Sequence, residues 1–388
     1  MFELSSDIKF LKARLALFYA GLFMSAGIYL PFWPLWLAER GLNSSQIGLV
    51  LAVSMSAKVI GNPIAGGIVD RLGKRRGTMI ALSAASLILI SLFAVAQDFW
   101  TILAIALFSS AAYAGLFPLI ENLTLMSAQA RKFDYGHIRL WGSLSFIICA
   151  TVGGGIIARS DGAWVILAMI SGGMALLLAA SFALPEARIS HEPGRAKGRL
   201  TDLLKGRAFL IFLAASACVQ VSHMIYYGFS ALHWRKAGLG EGLIGALWAE
   251  GVIVEVILFT FANRILRHAS PARLIFIGGV AGLIRWGTLG VTTWLPALII
   301  VQALHALTFA AAHLGAMHYL LRETPPDLSG RAQGAYSSVV MGIGTGLGML
   351  ASGTLYQTLE GGAFLVMAAL SVLGAILALG IERHAKAR

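Results

Sequence analysis

The segment GGIVDRLGKRRG (66–77) sets five charged residues within the seven positions from Asp70 to Arg76, between two long apolar runs at about 46–69 and 77–96. A polar turn this basic between two stretches of membrane-spanning length marks a loop held on the cytoplasmic side of a bilayer. Each part has a physical reading. Gly66 lets the helix before the turn pack close to a neighbour. Asp70 and Arg71 lie at that helix's end, where charges can cross-link helices in one conformational state. Gly73 supplies a tight turn, and Lys74 and Arg75 open the next helix.

Composition extends this reading to the whole chain of 388 residues. Apolar residues make up 58% and charged residues 12%, with a mean hydropathy of +0.79. A soluble domain carries about 25% charged residues, so this chain lacks the polar surface to face water. Apolar segments of the ~20 residues needed to cross ~30 Å of hydrocarbon recur twelve times, at about 15–38, 46–69, 77–96, 100–126, 137–158, 163–184, 208–232, 241–263, 272–293, 295–320, 332–357 and 362–381. They are numbered spans 1 to 12 below.

The formal charge of +12 raises the question of nucleic acid, and the placement of the basic residues answers it. With both termini in the cytoplasm, 23 of the 30 Lys and Arg fall in cytoplasmic segments; Arg40, Arg159, Arg235 and Lys236 fall outside, and Lys58, Arg139 and Arg285 lie in or at the edge of spans. That bias is a topology signal, not a nucleic-acid footprint. Cys149 and Cys218 both lie in apolar runs, so neither a disulfide framework nor a metal site is expected. The polar start MFELSSDIKFLKAR leads into a span long enough to be retained. The hydrophilic stretch 185–207 separates two six-span halves, 1–184 and 208–388, a layout of transporters that work about a midplane site.

The loop 66–77 resembles the signature loop of the major facilitator superfamily, a resemblance carried by Gly66, Asp70, Arg71, Gly73, Lys74 and Arg75. The matching loop of the second half, FANRILRHASPAR (261–273), keeps only Asn263 and Arg264 in the Asp-Arg positions. FDYGHIRLWGSLSFI (133–147), YYGFSALHW (226–234), VEVILFTFANRI (254–265), LIRWGTLGVTTWLP (283–296) and LHALTFAAAHLGAMHYL (304–320) are similar to the 3-phenylpropionate permease group, which is related to the lactose permeases. The resemblance implies an all-α membrane protein of two pseudo-symmetric six-helix bundles. It implies proton-coupled symport of a small organic solute, such as an aromatic monocarboxylate. Sugar or nucleoside symport, and drug or metabolite efflux, are the alternatives. Span 5 lacks the proline that many drug antiporters carry there, which counts against efflux. The implied partners are solute, protons and lipid; a monomer without cofactor is expected, and no nucleophile–base set or phosphate loop points to an enzyme.

The intramembrane charges carry the functional expectation. Each costs about 2.5–3.5 kcal/mol at the bilayer centre, so it must face a wet cavity, pair, or change protonation. GVIVEVILF (251–259) buries Glu255 among aliphatic residues. Glu255 can pair with Arg285 of span 9 or sit beside His305 of span 10. A carboxylate pulled one way by burial and the other by a cation is poised to exchange a proton. Glu255, His305 and Glu250 are therefore the proton-coupling candidates. Glu250 lies ~140° away around the helix, so one of the two carboxylates faces elsewhere; the resemblance to the permease group, which shares Glu255, favours Glu255. Lys58 and Arg285 are candidates for an anionic substrate, with Arg139 and Glu121 expected to pair across spans 5 and 4, as the Glu and Arg of those spans bind sugar in lactose permeases. His223, Tyr226 and Tyr227 complete the substrate-binding set. His313, eight residues past His305, should lie ~80° around an ideal helix. Lactose permeases carry a Glu one turn after the span-10 histidine; here that residue is Thr308.

Overall fold

The structure is a computed structural model that describes residues 2–186, 203–325 and 328–386. Most of the linker 185–207 lies outside the described residues. Apolar surface on every face leaves hydrogen-bonded helix as the way to satisfy the backbone in lipid, and among the described residues eleven helical stretches are long and apolar enough to cross a membrane. The last, Ser329–Ile381, is broken by a single 3₁₀ turn at Glu360–Gly362, which separates spans 11 and 12. Glu360 occupies φ 49°, ψ −122°, a conformation that glycine adopts far more readily, and its carboxylate meets Lys236 at 2.7 Å.

Spans 1 to 6 are Phe2–Glu39, Ser44–Leu72, Arg75–Ser91, Phe99–Arg131, Tyr135–Ile157 and Trp164–Ala183. Their ends follow local chemistry. Asn43 and Gln46 form a reciprocal capping box at the start of span 2, at 2.9 and 3.0 Å, satisfying two otherwise orphaned amides. Gly73 ends span 2 at φ 63°, its N–H donating to the Val69 carbonyl, a left-handed cap suited to glycine. Asp98 starts span 4 by accepting from the Thr101 amide at 3.0 Å. The Thr101 hydroxyl, with backbone amides, holds the Asp98 carboxyl below its usual range.

In the second half the helices are interrupted. Span 7 is two helices, Arg207–Val221 and Met224–Lys236. Span 8 is Glu241–Thr260, and a short helix Ala262–His268 leads to span 9, Pro271–Val291. Span 10 runs from Leu295–Ala303 through a π turn at Ala306–Ala311 into Ala312–Glu323. Span 11 has a second π turn, Val339–Gly344, between Ser329–Ser338 and Thr345–Leu359. Span 12 is Ala363–Lys386. The chain divides into two compact units, Met1–His191 with Leu239–Ala249, and Glu192–Gly238 with Glu250–Arg388. Span 8 thus changes unit after Ala249.

The packing of span 2 corrects one expectation. A Cβ at Gly66 would meet nothing within 4 Å, so Gly66 makes no close helix contact. The close approach lies one and a half turns earlier, where Gly61 sits against the Ala111 carbonyl of span 4 and a Cβ on Gly115 would lie 2.7 Å from that of Ala65. Small residues on both helices bring the backbones together. Gly61→Ala should therefore lower the melting temperature of the detergent-solubilised protein by several degrees, an overpacking cost of about 1–3 kcal/mol, while Gly66→Ala should leave it unchanged. Equal shifts would contradict the assignment of the contact to Gly61.

Candidate functional site

Arg285 on span 9 is 0% exposed. A guanidinium stays charged in a protein, and an uncompensated buried ion costs several kcal/mol, so its surroundings must carry the compensation. Three of its five N–H donors reach acceptors on span 10: Nη2 donates to Gln302 Oε1 at 2.8 Å, and Nη1 donates to Thr308 Oγ1 at 3.0 Å and His305 Nδ1 at 2.9 Å. Two aromatic rings flank the guanidinium, with Cζ 4.6 Å from the Tyr226 ring and 4.5 Å from the Trp286 ring, each a cation–π contact; the two ring centroids are 5.9 Å apart, so they border it side by side. The rings are held in turn. Trp286 Nε1 donates to Ser222 Oγ at 3.0 Å, and Gln302 Nε2 donates to the Tyr226 hydroxyl at 2.9 Å.

The direction of every proton follows from what each group can do. Arginine only donates, so His305 Nδ1 accepts and His305 carries its proton on Nε2. That nitrogen lies 3.5 Å from Glu255 Oε2. The carboxylate of span 8 and the guanidinium of span 9 are thus joined through one neutral imidazole, not directly. His223 is fixed the other way: Nδ1 is 3.1 Å from the Val219 carbonyl and must be the donor, leaving Nε2 to accept from Thr308 at 3.2 Å. Glu255, at 25% side-chain exposure against 9% for His305, is the more open end of the chain.

Backbone irregularity shapes the site. His223 lies in the break of span 7, between Val221 and Met224, and the π turn of span 10 starts one residue after His305. A π turn fits an extra residue into one turn and is frequent at functional sites. Here it brings His305, Phe309 and His313 onto one face, their rings stacked at 5.4 Å and 2°, then 6.0 Å and 4°. The ~80° offset expected for His313 is corrected: the added residue cancels the drift of an ideal helix.

The MFS_1 like family model matches residues 12–366. The chain belongs to the MFS_1 like family. It is 35% identical to the "Probable 3-phenylpropionic acid transporter" of Escherichia coli (strain K12), over 91% of this chain and 93% of that protein. It is 24% identical to the maltose permease of Geobacillus stearothermophilus, over 96% and 95% of the two chains. Among solved structures, that of the nucleoside transporter NupG superposes with a TM-score of 0.83 at 18% identity, covering 96% of this chain and 98% of that one. That likeness shows the fold. Fold and relatives alike are those of transporters.

Other residues singled out in this MFS_1-like sequence fall elsewhere. Glu250 is half-buried, and among the described residues it has no ion-pair partner; it acts on Arg285 through its field. The expected pairing of Glu121 with Arg139 is corrected. Arg139 stands over aromatic rings, Cζ 4.2 Å from Phe23, 5.7 Å from Tyr19 and 5.9 Å from Phe117, while Glu121 lies 3.4 Å from the Tyr135 hydroxyl. Three rings from spans 1 and 4 compete for the guanidinium and win it. Tyr227 stacks on His223 at 5.7 Å. Lys58 is half-buried in span 2, and among the described residues it has no hydrogen-bond or ion-pair partner. In the loop 66–77 the hydrogen bonds to other spans come from Arg75 and Arg76; Asp70 and Arg71 are exposed, and Asp70 acts on Arg75 through its charge. Arg75, 3% exposed, reaches Met126 Sδ at 3.4 Å, and Arg76 donates to the Phe182 carbonyl at 2.5 Å.

Sequence reasoning passed over Gln302 and treated Thr308 only as a departure. Both lie three residues from His305, on its helical face, and that spacing was the available signal. Arg285→Lys cannot serve Gln302, Thr308 and His305 together while keeping the planar contacts to Tyr226 and Trp286. It should cost about 3–5 kcal/mol, as for one broken partner in a buried ionic network, read as a large fall in melting temperature. Unaltered stability would refute the compensation scheme.

Proposed function

We propose that this chain imports a small organic monocarboxylate with an aromatic or apolar body, together with a proton, by alternating access across the bacterial inner membrane, with both termini cytoplasmic. The observation that carries the reading is a contrast between two intramembrane cations. Arg285 directs three of its donors to acceptors, and contacts two aromatic rings, within its own unit. Lys58 has no such partners among the described residues. An anion entering the protein finds its counter-charge at Lys58, while Arg285 belongs to the proton-carrying group. The phenylpropionic acid transporter named among the relatives supports an aromatic acid as the solute.

Charge balance then favours symport. Protonating Glu255 removes one negative charge from the group around Arg285, and a substrate carboxylate restores the net charge of the protein as a whole. Proton and carboxylate together carry no net charge, so the loaded protein has the charge of the empty one. The cycle is therefore electroneutral at one proton per monocarboxylate, driven by a pH gradient and indifferent to membrane potential.

Proteoliposomes with an alkaline interior should accumulate labelled 3-phenylpropionate, and a potassium–valinomycin potential alone should not drive uptake. Glu255→Gln should abolish accumulation yet retain exchange of internal for external substrate. Lys58→Met should raise KM at least tenfold, the loss of a charge-assisted contact worth about 1.5–3 kcal/mol. Uptake of uridine or maltose in place of any carboxylate would overturn the substrate class, and accumulation driven by potential alone would overturn the stoichiometry.

A further inference from the structure

His313 plays no part in the network around Arg285, yet it is not an ordinary core residue. Its Nδ1 is shut off from the surface and has no hydrogen-bond partner among the described residues, and the same holds for the hydroxyl of Tyr336 on span 11. The two rings are 6.4 Å apart. Each unpaired buried polar atom costs about 1–3 kcal/mol; other such atoms occur among the described residues, Arg285 Nε included, and His313 and Tyr336 differ from most in lying side by side. An apolar side chain at either position would fill the space without that cost.

The position of His313 supplies the reason. It lies two turns beyond His305 toward the cytoplasmic end of span 10, as Arg322 marks that end. Phe309 is stacked between the two imidazoles. Imidazole protons lie in the plane of the ring, so rings stacked face to face cannot pass a proton along the stack, and the phenyl ring closes that route outright. Glu255 flanks the stack from span 8. It is 3.5 Å from His305 Nε2, and its carboxylate also acts electrostatically on His313. The titratable groups facing this column are Arg285 from span 9, Glu255 from span 8, His223 and Tyr226 from span 7, and Tyr336 from span 11.

Resting on the symport reading above, we propose that Glu255, His313 and Tyr336 form the inward leg of the proton path, with Phe309 as the insulator that forces the proton through the carboxylate. The Glu255 carboxylate turns from His305 toward His313, and the carboxylic acid O–H bond breaks as an N–H bond forms on the imidazole. This leaves a carboxylate and an imidazolium. The imidazolium then loses a proton to water on the cytoplasmic side, and the Tyr336 hydroxyl orients the ring by accepting its N–H. His313 is a relay for the coupled ion and has no share in substrate binding.

The test compares net uptake, which requires proton release inside, with substrate exchange, which does not. In proteoliposomes under a pH gradient, His313→Ala should slow net uptake of 3-phenylpropionate at least tenfold and leave exchange within twofold of wild type. Added imidazole should restore net uptake in that variant. Tyr336→Phe should slow net uptake several-fold with exchange unaffected. Net uptake by His313→Ala at the wild-type rate would overturn the relay. So would a parallel fall of uptake and exchange without imidazole rescue, which would make His313 structural. Proton movement with substrate is recorded for the wild type in the same vesicles. Its absence would overturn the symport reading and this inference with it, whereas wild-type coupling with an indifferent His313→Ala would overturn the relay alone.

Discussion

A permanent positive charge in the middle of span 9 is the constraint that organises the second unit. Arg285 cannot shed its proton and cannot reach water, so neighbouring helices must supply acceptors and ring faces in the correct geometry. Gln302, His305 and Thr308 supply acceptors from span 10, and Tyr226 and Trp286 add cation–π contacts. Tautomers then follow by elimination. An arginine that only donates fixes His305 as an Nε2–H imidazole, and a carbonyl that only accepts fixes His223 as the opposite tautomer. One buried ion thereby sets the proton positions of two histidines and the orientation of the N–H that faces Glu255.

Helix irregularity gathers in the same unit. The break in span 7 and the π turns in spans 10 and 11 would each be costly in lipid, where a freed backbone group has no partner. They are tolerable where neighbouring helices cover them. A Cβ added at Gly348 of span 11 would collide with Val221 at the end of the first helix of span 7, so the broken segment is closely covered. The return is positional: a straight span 10 would turn His313 away from His305, and the π turn aligns them. The first unit is built otherwise, from long uninterrupted helices; span 1 runs 38 residues, ~57 Å at the rise of an α-helix.

Apolar run length alone makes the helical spans legible, because the bilayer imposes a fixed crossing distance. The intramembrane charges stand out for the same reason: each carries a cost that demands an explanation. What each charge touches is less accessible. The sequence offers Glu255 both Arg285 and His305 as neighbours, and only side-chain placement shows the imidazole standing between them. Arg139 attracts a reading as a salt-bridge partner because Glu121 is the acidic residue of the preceding span. Aromatic residues on spans 1 and 4 take it instead, and a cation–π contact leaves no charge pattern to read. His313 was misplaced by an assumption of ideal periodicity, since the residues from 306 to 311 give no sign of a π turn. Gly66 was credited with a contact because it sits in a motif, while the contact belongs to Gly61, outside it.

The meeting of Gly61 with the Ala111 carbonyl has a mechanical meaning. Two helices whose main chains touch have no side-chain cushion to deform, so they cannot slide past one another by small rotamer changes. Spans 2 and 4 behave as a single beam. Whatever displacement the first unit undergoes, these two must travel together, and the give has to come from joints where side chains still separate the helices.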